Sequence, residues 1–488
     1  MTGAYATLAT VTDVDSSTPA PPDEAAPALT ADDLLRLTGG RLLARSSRPI
    51  RGAAVDSRLV AAGQLFVALP GERTDGHAHL DEAIARGASA VLVTRPPRDP
   101  AALGDVTVVR VADAQAALGA VAAGWRRRFS PLVVGITGSI AKTSTKEAVA
   151  AVLGATRRTL RTEGNMNNEV GLPLTLLRLG PEHEAAVLEM GMYMGGEIAE
   201  LAAMARPSIG IVTAVQPVHL SRIGTLDAVE RAKGELLEAL PSDGTAVLNG
   251  DDPIVARMDR RTAARALRYG FTDTADVSAD QVESAGTAGM RFRLRTSAGE
   301  RAVAIPALGR LSVHNALAGA AVGLVAGLSL DAIVEALAGG WAAPHRAELV
   351  RLRGVTLVDD SYNASPGSVI AALELLAGLP GRRVGVLGTM LELGEGHDTG
   401  HVAVGDAAGR TVELLVVVGP EALGIVEGAQ SAGLDGGRIH HVRDVEAALD
   451  VLRPRLRDDD VVLVKASRGL GLDHLVDALR LELGEAAR

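Results

Sequence analysis

The stretch Leu132-Val-Val-Gly-Ile-Thr-Gly-Ser-Ile-Ala-Lys-Thr-Ser144 decides how the rest of the chain is read. Its first five residues have the continuous apolar character of a strand buried on both faces. A glycine-containing turn follows, and a helical pattern then runs from Lys142 to Leu153. In such a turn Gly138, Ser139 and their neighbours can aim backbone N–H groups at phosphate oxygens, and the helix N-terminus adds a favourable dipole. Lys142 would reach the β- and γ-phosphates of ATP, the Thr143 hydroxyl would ligate Mg²⁺, and Ser144 completes the set. The standard phosphate-loop pattern has glycine at 136 and 141, where this chain has Ile136 and Ala141. A plain strand–turn–helix with a surface lysine would look similar. The order strand, turn, Lys-Thr, helix favours the nucleotide reading. Ala141 is expected in right-handed helical conformation, where alanine costs nothing relative to glycine.

Outward from the loop, Ala186–Leu188 and Ile209–Ala214 read as further parallel-sheet strands. Arg291–Leu294 and Ala302–Ile305 suggest an antiparallel hairpin, and Val313–Ala326 a helix. Gly339-Gly340 and Pro344 mark a boundary. Beyond it, strands near Val355–Val358, Val384–Leu387, Leu414–Val418 and Val461–Val464 alternate with helical segments, the rhythm of a doubly wound sheet. On the other side, Gln64–Leu69 and Ala90–Thr94 read as strands and Leu80–Arg86 as a helix, and Ser130-Pro131 is a linker signal. The expected architecture is α/β with three domains. A small N-terminal α/β domain spans 29–130, a central P-loop parallel-sheet ATPase domain 131–342, and a Rossmann-like domain 343–488. Residues 1–28, rich in Ala, Thr, Ser, Pro and Asp, are read as a disordered tail.

The bulk composition agrees. A chain of 488 residues needs more than one core. Hydrophobic residues make up 47% and aromatics only 2%, so aliphatic side chains must do the packing. The net charge of −10 comes without a long basic block, which argues against nucleic-acid or anionic-membrane partners. With no cysteine, disulfides, thiolate metal sites and cysteine nucleophiles are excluded. No apolar run reaches the ~20 residues that span a bilayer, and no signal peptide is visible. We expect a cytoplasmic monomer.

A series of short motifs then resembles the Mur ligase family, in family order from about residue 30 to 485. Thr137-Gly-Ser-Ile-Ala-Lys-Thr-Ser-Thr-Lys-Glu147 is similar to its phosphate loop, except for Ala141. Gly164-Asn-Met-Asn-Asn-Glu-Val-Gly-Leu-Pro173 resembles the asparagine motif of the branch that adds D-alanyl-D-alanine. Leu188-Glu-Met-Gly191, Val218-His-Leu220, Ala232-Lys-Gly-Glu235, His314-Asn315 and Pro344-His-Arg346 follow. Asp359-Asp-Ser-Tyr-Asn-Ala-Ser-Pro366, Leu387-Gly-Thr-Met-Leu-Glu-Leu-Gly394 and Leu463-Val-Lys-Ala-Ser-Arg468 complete the series. At the front, Asp56-Ser-Arg58, Phe66-Val-Ala-Leu-Pro-Gly-Glu72 and Asp75-Gly-His77 look like the family's uridine-diphosphate domain. Departures are Ser221, Ala318, Thr389 and His345, where glutamate, asparagine, aspartate and glycine are expected.

The resemblance implies a ligase that uses ATP and Mg²⁺ to join UDP-N-acetylmuramoyl-tripeptide and D-alanyl-D-alanine through an acyl phosphate. It implies catalytic roles for Lys142, Glu189, His219 and Lys233, with Thr143, Glu189, His219 and Lys233 as magnesium ligands. Lys233 would be carbamylated, which turns a cation into a carboxylate analogue. Asn315, Arg346 and Asp360 correspond to adenine, phosphate and ribose contacts. Ser57, Arg58 and His77 would meet the uridine diphosphate, and Asn165 and Asn168 the attached peptide. Tyr362, Asn363 and Ser365 would meet the dipeptide, and Lys465 and Arg468 a carboxylate. Plainer readings exist: a helix N-terminal cap for Asn315, a surface ion pair for Arg346, a turn former for Asp360, solvated positions for Glu189 and Lys233. The rivals are a ligase of the same superfamily acting on another carboxylate and amine, a catalytically silent binding homologue, and a simple kinase or ATPase.

Overall fold

The computed structural model describes residues 27–71, 74–217 and 223–485. Most of the tail read at 1–28 therefore lies outside the described residues, as do Glu72, His219 and Ser221. Two compact units emerge. One runs up to Gly135 and adds Arg157–Gly191 and Glu197–Ser208; the other comprises Ile136–Thr156, Met192–Gly196 and Ile209 onward.

In the first unit, a five-stranded sheet has the order Arg41–Ala44, Thr107–Arg110, Ala90–Val93, Leu65–Val67, Ala53–Ala54. Only its first pair is antiparallel. Phe66, Val91, Val93 and Val108 fill the core beneath it. Asp113 caps the helix Ala114–Arg126 through the N–H groups of Gln115 and Ala116. At its far end, Trp125 Nε1 donates to Leu179 O at 2.8 Å and Arg126 Nε to Ala205 O at 2.9 Å. The run Trp125-Arg126-Arg127-Arg128 is thus anchored by two buried side chains just before Ser130-Pro131. Strands Thr159–Arg161 and Ala185–Glu189 pair in parallel in the same unit.

In the second unit, the strands Ile209–Val212, Thr245–Asn249, Arg265–Gly270 and Val277–Ser284 lie side by side in parallel. The antiparallel hairpin Met290–Thr296/Gly299–Ile305 extends them, with Phe292 opposite Val303. The helix Lys142–Gly154 packs against the helix Arg310–Val325. There Gly319 and Gly323 let Val152 approach closely.

From residue 348 the same unit holds a six-stranded sheet. Its order is Glu348–Arg351, Val355–Asp359, Asp460–Lys465, Arg382–Gly388, Leu414–Val418, Ile439–Val442. All pairs but the first are parallel. Each face has its own aliphatic core, one including Val358, Leu387, Leu415 and Val417, the other Leu357, Val386, Val416 and Val464. The last strand is inserted between the second and third in sequence, so Asp360 and Ala466 emerge from neighbouring carboxyl ends. That is where ligands bind in open α/β sheets. On one flank the helices His397–Thr411 and Leu423–Ser431 touch backbone to backbone. A β-carbon on Gly405 would overlap Ile425 O, and one on Gly428 would overlap Val402 O.

Candidate active site

The phosphate loop leaves the strand Leu132–Thr137 and enters the 13-residue helix Lys142–Gly154. Gly138 lies so close to the next strand end that a β-carbon would overlap Thr213 Oγ1. Thr213 Oγ1 donates to Ile140 O at 2.6 Å, pinning the loop from below. Ser139 Oγ donates to Gln216 O at 3.1 Å and accepts from Gln216 N at 2.9 Å, so this hydroxyl shapes the loop. Lys142 Nζ folds back onto Gly138 O at 2.7 Å. The helix starts on Ala141 with no side-chain cap. Helix N-termini ordinarily bring a cap for their first N–H groups; one lacking a cap, beside a lysine, suits a phosphate.

Ala141 corrects an expectation. It is left-handed, with φ 64° and ψ 3°, whereas the sequence reading placed it in right-handed conformation. The turn must reverse direction just before Lys142, and that requirement overrides alanine's preference, at a cost of roughly 1–2 kcal/mol.

Two further residues frame the loop. Asn315 is buried inside the helix Arg310–Val325, where its Oδ1 accepts from Thr145 Oγ1 at 2.9 Å. It is therefore no helix cap; it ties the phosphate-loop helix to its neighbour, 170 residues away in sequence. Lys233 sits in the helix Leu226–Glu238 with only 2% of its surface exposed. It forms no ion pair or hydrogen bond with a described residue. Burial, together with the nearby Lys142 ammonium, holds its pKa well below the usual lysine range.

In the first unit, Glu189 ends a strand and is 2% exposed. Its Oε1 accepts from Asn167 Nδ2 at 2.8 Å, and its N–H donates to Thr162 Oγ1. Asn167 is the asparagine that sequence reasoning passed over. Asn168 Oδ1 instead accepts from Val170 N and Gly171 N, shaping the start of the helix Gly171–Leu176. Asn165 O accepts from Asn167 N at 2.7 Å. His77 has both ring nitrogens engaged, Nδ1 with Asp75 at 2.6 Å and Nε2 with Thr94 N at 3.0 Å. Ser57 Oγ donates to Glu82 at 2.6 Å, and Arg58 pairs with Asp56.

The residues from 345 to 365 and 465 to 468 form a third cluster. Lys465, 2% exposed, pairs with Asp360 at 2.6 Å and donates to Asn363 O at 2.8 Å. Asp360 Oδ1 also accepts from Ala347 N. Asn363 Oδ1 accepts from Ala364 N, and Ser365 caps the helix Pro366–Ala377 in a capping box with Ser368. The guanidiniums of Arg346 and Arg468 lie 4.0 and 4.7 Å from the Tyr362 ring centre. His345, in place of the expected glycine, is left-handed at φ 57°. Its Nδ1 is 2.8 Å from the fully buried Asp359. That bond raises the imidazole pKa. Burial would raise the Asp359 pKa, but His345 and Ser361 hold it below its usual value. Gln216, which holds Ser139, also lies against this cluster: a β-carbon on Gly367 would be 3.0 Å from its Oε1.

Comparison with known proteins bears on the whole chain. The Mur ligase family catalytic domain matches residues 49–126, the Mur ligase middle domain 136–323, and the Mur ligase glutamate ligase domain 345–468. The UDP-N-acetylmuramoyl-tripeptide--D-alanyl-D-alanine ligase of Escherichia coli K12 is 38% identical over 437 residues, covering 87% of this chain and 92% of that protein. A crystal structure of MurF from Acinetobacter baumannii superposes with a TM-score of 0.84 at 29% identity, covering 94% of this chain and all of that one. MurF ligase from Thermotoga maritima in complex with ADP gives a TM-score of 0.78 at 29% identity, covering 89% and 98%. In sequence, in domain order and in fold, this chain belongs to the Mur ligase family.

Proposed function

We infer that the chain is the ATP-dependent ligase that joins D-alanyl-D-alanine to UDP-N-acetylmuramoyl-tripeptide in peptidoglycan precursor synthesis. The observation that carries this is near full-length identity of 38% with an enzyme of that name, joined to a phosphate loop that keeps Lys142 and an uncapped helix start. We assign the nucleotide-sugar to residues 29–130, ATP to 131–342 and the dipeptide to 343–488.

A carboxylate is a poor acyl donor because its leaving group is oxide. Phosphorylation by ATP makes the leaving group phosphate; the dipeptide amine then attacks the acyl carbon, the C–N bond forms and the C–O bond to phosphate breaks. The protein's part is chiefly positioning and charge neutralisation. Lys142 and the first N–H groups of its helix bind the phosphates. Thr213 and Ser139 hold the loop in shape, and Asn315 steadies the helix behind it. Magnesium, when bound, would neutralise phosphate charge. Within the second unit the Thr143 hydroxyl is a fitting donor for it; Glu189, whose carboxylate Asn167 orients in the first unit, is proposed as a ligand on family resemblance. Lys233 as an ammonium would repel the metal. Burial favours its neutral amine, which can add CO2 and release a proton; the resulting carbamate would be an anionic ligand for the metal. His219 is proposed as a further ligand on family resemblance. Arg346 and Arg468 offer positive charge from the third cluster. We assign the reaction to the cytoplasm, where ATP is supplied. Separately, no helix among the described residues is long and apolar enough to cross a membrane.

The deciding experiment is phosphate release with ATP, magnesium and UDP-N-acetylmuramoyl-tripeptide, with and without D-alanyl-D-alanine. Steady release only with the dipeptide is expected. Turnover with a single amino acid in its place, or with no amine, overturns the assignment.

A further inference from the structure

Tyr362 contributes to the third cluster in a way that its hydroxyl does not explain. That hydroxyl makes no hydrogen bond to a described residue. Its backbone N–H is fixed to His345 O at 3.3 Å, and its ring carries two cations, Arg346 at 4.0 Å and Arg468 at 4.7 Å from the ring centre. Neither guanidinium has a carboxylate partner among the described residues, and Arg346 Nε is buried without a hydrogen-bond acceptor. Two cations gathered around one ring cannot neutralise each other. The electron-rich ring is the group that attracts both.

We infer that Tyr362 is a positioning residue whose aromatic ring, rather than its hydroxyl, holds Arg346 and Arg468 as a preformed seat for one substrate oxyanion. The oxyanion is the γ-phosphate of ATP or the carboxylate of the incoming dipeptide; both present the planar or trigonal oxygens that guanidinium forks fit. This rests on the ligase reading above. It replaces direct contact between the tyrosine and the dipeptide with action through the arginines.

The test is steady-state phosphate release by the full chain under varied ATP and varied dipeptide. Tyr362→Phe keeps the ring and is expected to hold kcat/KM within about threefold. Tyr362→Leu keeps bulk without the ring and is expected to lose roughly tenfold or more. The loss should appear as a raised KM for ATP if the seat holds phosphate, or for the dipeptide if it holds carboxylate. Arg468→Gln, costly in the wild type, should add little to Tyr362→Leu, because the two act as one unit. A Phe variant as impaired as the Leu variant overturns the inference, as do a Leu variant at wild-type rate and full additivity with Arg468→Gln. If Tyr362→Leu melts early, Tyr362→Met carries the same comparison. A wild type that releases no phosphate with both substrates defeats the ligase assignment, a result separate from these.

Discussion

Lys233 and Lys465 are each 2% exposed, and burial lowers the pKa of both. Their surroundings differ. Lys465 has a carboxylate at 2.6 Å and a backbone carbonyl at 2.8 Å. Lys233 has no described partner and faces a like charge, Lys142. A buried charge with a matched partner is a brace, and losing one half strands the other. A buried amine with no partner has its charged form disfavoured, at a cost that structure alone does not repay. The contrast separates a lysine that holds the third sheet's strand ends together from one without a structural counterpart, the lysine proposed to carry the carbamate.

The largest expected effect tests the brace. Lys465→Met should lower unfolding stability by about 2–3 kcal/mol, because Asp360, itself 14% exposed, loses its cation. Lys465→Met/Asp360→Asn should recover much of that loss in denaturant titrations. Equal stability of the wild type and the single variant would remove the distinction. Next, Lys233→Ala should cut turnover by on the order of 10²–10³ while its thermal midpoint stays level or rises, since only an unfavourable buried amine is removed. Stripping CO2 from wild-type assays should lower activity, and bicarbonate should restore it; a wild-type rate in the variant refutes the carbamate.

A smaller effect concerns His345 and Asp359. The imidazole pKa is raised, so its contribution is complete below about 6.5 and fades as pH climbs through the folded value. The Asp359 pKa is depressed, so its contribution is complete above about 3.9 and fades as pH falls through the folded value. His345→Asn keeps a residue that tolerates left-handed backbone. Its stability deficit should be widest, at about 1 kcal/mol, near pH 5–6 and should shrink above neutrality. A deficit that grows with pH would show the ion pair has been misjudged. Finally, Ala141→Gly should stabilise the protein by roughly 1–2 kcal/mol, read as a rise of the thermal midpoint, with ATP affinity changed less than tenfold. Destabilisation by glycine would mean that the loop is not left-handed at 141.

Much of this was legible in the chain. The order strand, glycine turn, Lys-Thr, helix marks the phosphate loop because each part has a strong local signal. The third sheet's strands are aliphatic runs that periodicity identifies. What escaped is what three dimensions decide. The handedness of Ala141 is set by the reversal ahead of Lys142; the glycine expected at that position was the available clue. Among three asparagines in four residues, only the fold turns Asn167 toward Glu189. The Asn315–Thr145 bond joins parts 170 residues apart and leaves no local trace. Ser365 shows the opposite case: its pattern, Ser-Pro before an apolar run, already carried the helix-cap signal that the structure displays.

The helices His397–Thr411 and Leu423–Ser431 carry a consequence for how this sequence can change over time. Gly405 faces Ile425 O and Gly428 faces Val402 O, with Gly409 against Ala429 and Gly424 against His401. Because each glycine meets fixed backbone or β-carbon, a neighbour cannot simply swing aside to admit a methyl group. No second substitution at a single site repairs the first; the whole helix pair would have to move apart. Drift at these four positions is thus closed off in small steps, while the surrounding aliphatic positions can exchange Val, Leu and Ile. In a set of diverging sequences, the glycines of this pair should stand as fixed points in a flank that otherwise varies.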